Sequence, residues 1–118
     1  MIVLDTSALV RFFTNDVPAK AKEVKSILDS TQKIQIPDVV LAELEYVLLS
    51  KTYGASRDKV LNAFRLLIER KNTVVSVEAK SAIDLYAKTK LDLADCMVVA
   101  SARGKRLVSF DKQLLKAV

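Results

Sequence analysis

Residues 2–13 read IVLDTSALVRFF, an apolar run that ends on an aspartate before a second apolar stretch begins. The first part, 2–5, predicts a short buried strand, and the helical spacing of apolar residues over 7–13 predicts a helix directly after it. Thr6 or Ser7 can cap that helix. Neither Gly nor Pro follows Asp5, so a tight turn does not explain why an aspartate stands at this position. Asp5 either caps the helix or binds a ligand.

The same order of strand and helix continues along the chain. Further strands are predicted at 33–37, 73–77 and 106–110, and further helices at 18–30, 38–51, 56–71, 78–90, 91–104 and directly after Asp111. Pro18 suits the first turn of its helix, Ser56 is a candidate cap, and Gly54 is expected to close the helix 38–51. The strands are apolar without alternation, as in a parallel sheet that is covered on both sides. The sequence therefore predicts an α/β fold with a parallel four-stranded sheet and helices on both of its faces. We expect residues 1–118 to form a single domain.

The composition excludes several classes of enzyme. The chain has no histidine, which removes Ser–His–Asp triads, Cys–His pairs and histidine metal ligands together. Its single cysteine, Cys96, has no partner for an internal disulfide and is expected to be a small core residue. Hydrolysis by this chain would therefore depend on carboxylates, together with a metal that they bind.

The charge and the hydropathy of the chain indicate its surroundings. A net charge of +5 suits a polyanionic partner such as RNA. No apolar run approaches the roughly 18 residues of a membrane span, and no secretion signal is visible at the N-terminus. With one cysteine and no disulfide, the chain is expected to be cytoplasmic.

Two acids directly follow predicted strands. Asp5 comes after the first strand and Asp111 after the fourth, and α/β folds of this class bind ligands outside the carboxyl ends of their strands. Each can also cap the helix that follows it. The two roles are compatible, because one oxygen of a carboxylate can cap while the other binds a cation.

Two more acids lie near the start of the predicted helix 91–104. Asp92 suits the position of a cap, and acids in a first helical turn are favourable by about 0.3–1 kcal/mol each. Asp95 fits this explanation less well, because its helical neighbours Val98, Val99 and Ala102 are expected to pack inward. A buried carboxylate without a partner costs several kcal/mol, so Asp95 is expected to need a cation or a proton.

The predicted helix 38–51 contains two glutamates in apolar surroundings, Glu43 and Glu45. Helical spacing does not choose between them as site residues, and an ion pair with an arginine or lysine is the structural explanation for either. Taken together, the acids indicate a pocket in which several carboxylates repel unless a divalent cation is bound. Ligands that are all oxygen favour Mg²⁺ or Mn²⁺ over zinc.

Four stretches of the chain resemble the PIN-domain family, and especially its VapC-like toxin ribonucleases. They are IVLDTSALVRFFTND, IPDVVLAELEYVL, DLADCMVVASARG and LVSFDKQL, and they occur in the family's order over nearly the whole chain. The resemblance implies that the catalytic, metal-binding acids are Asp5, Glu43, Asp95 and Asp111, and so it selects Glu43 over Glu45. It further implies supporting roles, orienting carboxylates and waters, for Thr6, Ser7, Asp92 and Ser109.

The resemblance also implies an activity and partners. Members of this type cleave RNA internally with Mg²⁺ or Mn²⁺, are usually dimers, and are inhibited by a small antitoxin protein. Arg11, one helix after Asp5, is a candidate to contact RNA, and its alternative is a solvated helix charge or an ion pair with a glutamate. The chain ends at Val118, soon after the last acid, so we expect the family's fifth, edge strand to be truncated or missing.

Other functions remain as alternatives. A response-regulator receiver would also bind Mg²⁺, but it requires paired acids after the first strand and a Lys-Pro near the end, and both are missing here. A haloacid-dehalogenase-like phosphatase requires Asp-x-Asp after the first strand, where this chain has DTS. A protein of the same fold that processes RNA without being a toxin, or that has lost its activity, is compatible with the sequence.

Overall fold

Three short parallel strands form the sheet, in the order β1 (Ile2–Val3), β2 (Ile34–Gln35) and β3 (Thr73–Val74). Ile2 lies opposite Ile34, which lies opposite Thr73. Backbone hydrogen bonds extend the pairing by a residue beyond each strand, as in the 3.2 Å bond from the Leu4 amide to the Gln35 carbonyl. The computed structural model describes all of residues 1–118.

The predicted fourth strand is not formed. Residues 106–110 pair with no strand of the sheet, which has three strands and neither four nor five. Val108 is 73% exposed and Phe110 is fully exposed, although both belong to the apolar run that predicted the strand. An apolar run alone does not make a strand, because a strand also needs a backbone partner for its ladder of hydrogen bonds.

Seven helices account for most of the remaining chain: α1 (Thr6–Thr14), α2 (Pro18–Leu28), α3 (Asp38–Leu49), α4 (Arg57–Glu69), α5 (Val77–Lys88), α6 (Leu93–Ser101) and α7 (Lys112–Lys116). Each was predicted, with ends that differ by a few residues. The chain divides into two compact units, a first unit of Met1–Val75 and a second unit of Ser76–Val118. The first unit contains the sheet and α1–α4, and the second contains α5–α7.

Two predicted helix starts are confirmed. Ser56 caps α4, since its hydroxyl accepts a hydrogen bond of 3.2 Å from the Lys59 amide. Pro18 occupies the first position of α2, where its missing amide hydrogen costs nothing. These two signals are local, so they are readable without knowledge of the tertiary structure.

The end of α3 is built by the turn that follows it. Gly54 has a φ of +60°, in the left-handed region that glycine adopts without strain. Its amide donates a 2.6 Å hydrogen bond to the Ser50 carbonyl, and the Ala55 amide donates to the Leu48 carbonyl at 2.9 Å. The turn fixes the position of Tyr53, whose side chain takes part in the site described below.

Two polar side chains before β3 hold the connection between α2 and β2 in place through hydrogen bonds. The Asn72 amide nitrogen lies 3.0–3.1 Å from the carbonyl oxygens of Leu28, Ser30 and Gln32. Arg70 donates to the Leu28 carbonyl at 2.9 Å and also pairs with Asp29. The Leu28 carbonyl belongs to the last turn of α2, which has no partner within the helix, so these contacts satisfy a group that would otherwise lack a donor.

The interior of the first unit is apolar with one exception. Leu9 of α1, Leu41 and Leu44 of α3 and Phe64 of α4 are fully buried, as is Ile34 of the central strand. Glu45 is the one buried charged residue of the chain. No helix has both the length and the apolar composition that are needed to span a membrane.

Candidate active site

Asp5 and Glu43 line the same pocket of the first unit. The pocket has a volume of about 500 Å³ and lies between α1 and α3. Thr6, Ser7 and Arg11 of α1 also line it, together with Tyr53 from the turn after α3. The structure therefore brings together two of the four predicted metal ligands and places the RNA-binding candidate Arg11 beside them.

Asp5 is the cap of α1, and the prediction that Thr6 or Ser7 would cap it is wrong. Asp5 Oδ1 accepts a 3.1 Å hydrogen bond from the Ala8 amide, and the Ser7 hydroxyl donates to the same oxygen at 2.8 Å. Thr6 and Ser7 are already helical residues, and Asp5 has the extended backbone that a cap requires. The hydrogen bond from Ser7, followed by that from Ala8, lowers the pKa of Asp5 below its ordinary value.

The structure separates the two glutamates that helical spacing left equivalent. Glu45 is 5% exposed, whereas Glu43 is exposed and lines the pocket. The expected apolar surroundings of Glu43 are found in part: Val40 and Val47 line the pocket with it, whereas its neighbours Val39 and Tyr46 are 62% and 78% exposed. The carboxylate of Glu43 is therefore hydrated and accessible to a ligand in the pocket.

Arg11 is held by an aspartate that the sequence did not indicate. Its guanidinium lies 2.5 Å from Asp16 Oδ2, and the Tyr53 hydroxyl donates to the same oxygen at 2.9 Å. Asn15, with a φ of 53°, turns the chain back after α1 and so brings Asp16 near Arg11. Loss of hydration raises the pKa of Asp16, but hydrogen bonds from Tyr53, Thr14 and Arg11 outweigh it, and the pKa is lowered.

Asp16 and Tyr53 are the residues that sequence reasoning missed. The five-residue spacing between Arg11 and Asp16 crosses a helix end, so the helical periods of three and four do not detect the pair. Tyr53 comes from a turn 37 residues after Asp16, and only the fold brings them together. The one local signal was Gly54, which indicated a fixed turn beside Tyr53.

In the second unit, Asp92 and Asp95 take the positions that were predicted for them. Asp92 caps α6, because its Oδ1 accepts a 2.8 Å hydrogen bond from the Asp95 amide. Asp95 is half-buried, and its helical neighbours Val99 and Ala102 are buried as predicted. Val98, which was also expected to pack inward, is 41% exposed. Burial, together with the negative charges of Asp92 and Asp111, raises the pKa of Asp95 above its ordinary value.

Asp111 caps the short helix α7. Its Oδ1 accepts hydrogen bonds from the amides of Gln113 and Leu114, at 2.9 and 3.2 Å. Ser109, a predicted supporting residue, accepts a 3.0 Å hydrogen bond from the Asp111 amide and so fixes the backbone of that residue. Capping by Asp5, Asp92 and Asp111 uses Oδ1 in each case, and the hydrogen bonds described here leave Oδ2 to other partners.

The chemistry of these residues suits a hard divalent cation. No group of three or more His, Cys, Asp or Glu side chains lies close enough together in the structure to hold a metal ion. The candidate donors are nevertheless all carboxylate oxygens, the ligands that Mg²⁺ and Mn²⁺ prefer. Burial and the negative charges of Asp92 and Asp111 raise the pKa of Asp95, and a cation bound beside these acids would relieve that repulsion. The chemistry of the donor atoms therefore fits such an ion.

The model of the PIN domain family matches residues 2–118 of the chain. The chain therefore belongs to the PIN domain family. PIN domains are in general metal-dependent nucleases that act on nucleic acid and usually use divalent ions such as Mg²⁺. No curated protein matches the chain significantly. The receiver and phosphatase alternatives receive no support from this family match.

Proposed function

We propose that the chain is an endoribonuclease that hydrolyses RNA phosphodiesters with Mg²⁺ or Mn²⁺. The observation that carries the proposal is the position of Asp5 and Glu43 on one pocket, with Arg11 beside them. Two carboxylates suit a cation, and a neighbouring guanidinium suits a phosphate. The nuclease chemistry of the family supports the same activity.

The proposed metal ligands are Asp5, Glu43, Asp95 and Asp111. When bound, the metal supplies a hydroxide nucleophile from water and neutralises charge that develops on the phosphodiester. Four carboxylates without histidine match the choice of Mg²⁺ or Mn²⁺ over zinc.

Neighbouring groups hold these carboxylates in place. The Ser7 hydroxyl fixes the orientation of Asp5 and lowers its pKa, which favours the ionised form that binds a cation. Asp92 fixes the first turn of α6, the helix that carries Asp95. Ser109 fixes the backbone at Asp111. Each of the three supports one proposed ligand through a single hydrogen bond.

Arg11 is proposed to contact a phosphate of the RNA. Its ion pair with Asp16 holds the guanidinium on the wall of the pocket, and a net charge of +5 favours a polyanionic substrate in general. Because every nucleotide carries a phosphate, this contact would position the backbone of the RNA and would not select its sequence.

We further propose that the chain is the toxin of a type II toxin–antitoxin pair. The support is the resemblance of four stretches to VapC-like toxins, which are usually dimeric and inhibited by a small antitoxin. The proposal therefore includes a homodimer and a cognate antitoxin encoded beside this chain. A housekeeping RNA-processing enzyme of the same family is the second candidate, and the neighbouring gene distinguishes the two.

The proposed activity is tested with the purified chain and a mixture of cellular RNAs. Internal cleavage should occur with Mg²⁺ or Mn²⁺ and stop on addition of EDTA, while Ca²⁺ should support little cleavage. Induced expression should arrest growth, and co-expression of the adjacent small gene should relieve the arrest. Metal-dependent cleavage without growth arrest would favour the housekeeping enzyme, and no cleavage with either metal would contradict both.

A further inference from the structure

A second pocket adjoins the one that contains Asp5 and Glu43. It has a volume of about 290 Å³ and is lined by Phe13 and Thr14 of α1, Leu48 of α3, and Lys59 and Ala63 of α4. Tyr53 and the following Gly54 and Ala55 complete its lining. Tyr53 is the one residue that lines both pockets, so its side chain is common to the two walls.

Tyr53 is held in a fixed position from both ends. Its backbone belongs to the turn that Gly54 closes after α3, and its amide donates a 3.2 Å hydrogen bond to the Ser50 carbonyl. Its hydroxyl donates to Asp16, which is paired with Arg11. An aromatic ring that is anchored in this way presents a rigid surface, which loses little entropy when a flat ligand packs against it.

We propose that this second pocket, the Tyr53 pocket, binds a nucleobase of the RNA next to the phosphate that is cleaved. The inference rests on the proposed nuclease function and adds a binding site to it. Base–aromatic stacking is the usual way in which proteins hold single-stranded RNA, because every base has a π-face. The ring of Tyr53 provides that surface, while Leu48 and Phe13 provide apolar walls.

The size and the charge of the Tyr53 pocket favour a base over other occupants. Its volume of about 290 Å³ is just below the roughly 300–1,000 Å³ of sites for drug-sized molecules, which suits a single base. Lys59 lines this pocket and Arg11 lines the adjoining one, and both are cations of the kind that pairs with phosphate. Because Tyr53 lines both pockets, a nucleotide with its base in the Tyr53 pocket would have its phosphate on the side of Asp5 and Glu43. These are the carboxylates proposed to hold the catalytic metal.

The test measures RNA binding in the absence of metal, so that cleavage does not enter. A fluorescently labelled oligoadenylate of about eight nucleotides is titrated with the full chain in EDTA and low salt, by fluorescence anisotropy. Tyr53→Ala should weaken binding by about 5- to 150-fold, the usual effect of removing one stacking partner. Tyr53→Phe keeps the ring and should bind within about 3-fold of the wild type.

Two further variants separate the pocket from general effects. Ala55→Leu fills the Tyr53 pocket without removing any group and should also weaken binding. Ala87→Leu adds the same volume at an exposed position of α5 and is its control. Tyr46→Ala removes a tyrosine that is 78% exposed and lines neither pocket, and it is the control for Tyr53→Ala. Both controls should bind as the wild type does.

The outcomes distinguish this inference from the proposed nuclease. Equal loss of binding in Tyr53→Ala and Tyr46→Ala, or wild-type binding by both Tyr53→Ala and Ala55→Leu, would overturn the base site even if the chain cleaves RNA with Mn²⁺. Selective loss in Tyr53→Ala and Ala55→Leu would support the base site even if no cleavage is found. A thermal melt of each variant shows whether a loss reflects unfolding, and loss in a folded Ala55→Leu variant keeps the inference testable if Tyr53→Ala unfolds.

Discussion

At the scale of single residues, several aspartates of this chain cap helices and are also proposed to bind the metal or to support its ligands. Asp5 begins α1 through its Oδ1 and lines the pocket beside Glu43. Asp92 and Asp111 begin α6 and α7 in the same way. A carboxylate can accept a backbone amide hydrogen bond with one oxygen and bind a cation with the other, so one residue can serve both purposes. Substitutions that keep the cap and remove the charge separate the two roles.

Asp5→Asn and Asp5→Ala are expected to differ in stability and to agree in activity. Asparagine caps a helix as well as aspartate does, so Asp5→Asn should leave the free energy of unfolding nearly unchanged, while Asp5→Ala should lower it by about 0.5–2 kcal/mol. RNA cleavage should fall at least about a hundredfold in both, since a metal ligand is lost. Urea unfolding and a cleavage assay measure the two effects.

Ser56→Ala is the matched control, because it removes the cap of α4 without touching the proposed site. It should lose a similar amount of stability and keep wild-type cleavage. If Asp5→Asn also cleaves RNA at the wild-type rate, Asp5 is a cap and nothing more.

The raised pKa of Asp95 gives a dependence of stability on pH. Between the unfolded and the folded pKa the folded chain binds more protons than the unfolded chain, so stability falls as the pH rises through that range. The loss of stability caused by the Asp95 charge is complete above the pKa of the folded state and absent below the pKa of the unfolded state. In EDTA, Asp95→Asn should therefore be at least as stable as the wild type at about pH 7 and lose that advantage near pH 3. Urea midpoints at both pH values test this, and a variant that is less stable at about pH 7 would contradict it.

At the scale of elements, short polar contacts secure the connections between helices and strands. The Asn72 side-chain amide donates hydrogen bonds to three carbonyl groups at and just after the end of α2, and two of these bonds are partly buried. Arg70 adds a further donor to the Leu28 carbonyl. Hydrogen bonds from Lys25 and Arg70 lower the pKa of Asp29, which follows the end of α2.

Asn72→Ala is expected to destabilise the chain by about 1–3 kcal/mol, because several carbonyl groups lose their donor. Asn62 is exposed on α4, and Asn62→Ala should leave stability unchanged or raise it slightly, since alanine has the higher helix propensity. Urea unfolding of both variants gives the comparison. Equal stability of Asn72→Ala and the wild type would mean that water replaces the amide without cost.

The elements also show how far the sequence predicts the structure. The cap Ser56 and the start at Pro18 follow from local chemistry, and both were predicted. The segment 106–110 had the composition of a strand, but composition does not provide the neighbouring backbone that a strand needs. Helical spacing did not choose between Glu43 and Glu45, and only the resemblance to the family selected Glu43. The packing of α3 then buries Glu45 and leaves Glu43 exposed. Tyr53 and Asp16 required the fold itself.

At the scale of the whole molecule, the family match spans residues 2–118 and so includes both units. The first unit provides Asp5, Glu43 and Arg11 on one pocket, and the second provides Asp92, Asp95 and Asp111, whose charges act on one another. Carboxylates that repel in the folded chain are relieved by a divalent cation, so binding should stabilise the fold.

Mn²⁺ is therefore expected to raise the melting temperature of the chain. At a concentration 100 times the dissociation constant, the gain in the free energy of unfolding should be about 2.7 kcal/mol. Ca²⁺ should also stabilise the fold while supporting little cleavage. Thermal melts in EDTA and in millimolar Mn²⁺ make the comparison, and a melt that does not respond to Mn²⁺ would count against a metal site.

The central claim is that Asp95 binds the metal on which RNA cleavage depends, and the Mn²⁺ dependence of cleavage by Asp95→Asn tests it most directly. This variant keeps the shape of the side chain and removes its charge, and Asp84→Asn makes the same change at an exposed position of α5. Asp95→Asn should cleave at least about a hundredfold more slowly and need more Mn²⁺, because the variant would lose one of the carboxylates proposed to hold the metal. Asp84→Asn should behave as the wild type. A folded Asp95→Asn protein that cleaves RNA at the wild-type rate with the wild-type Mn²⁺ dependence would contradict the claim.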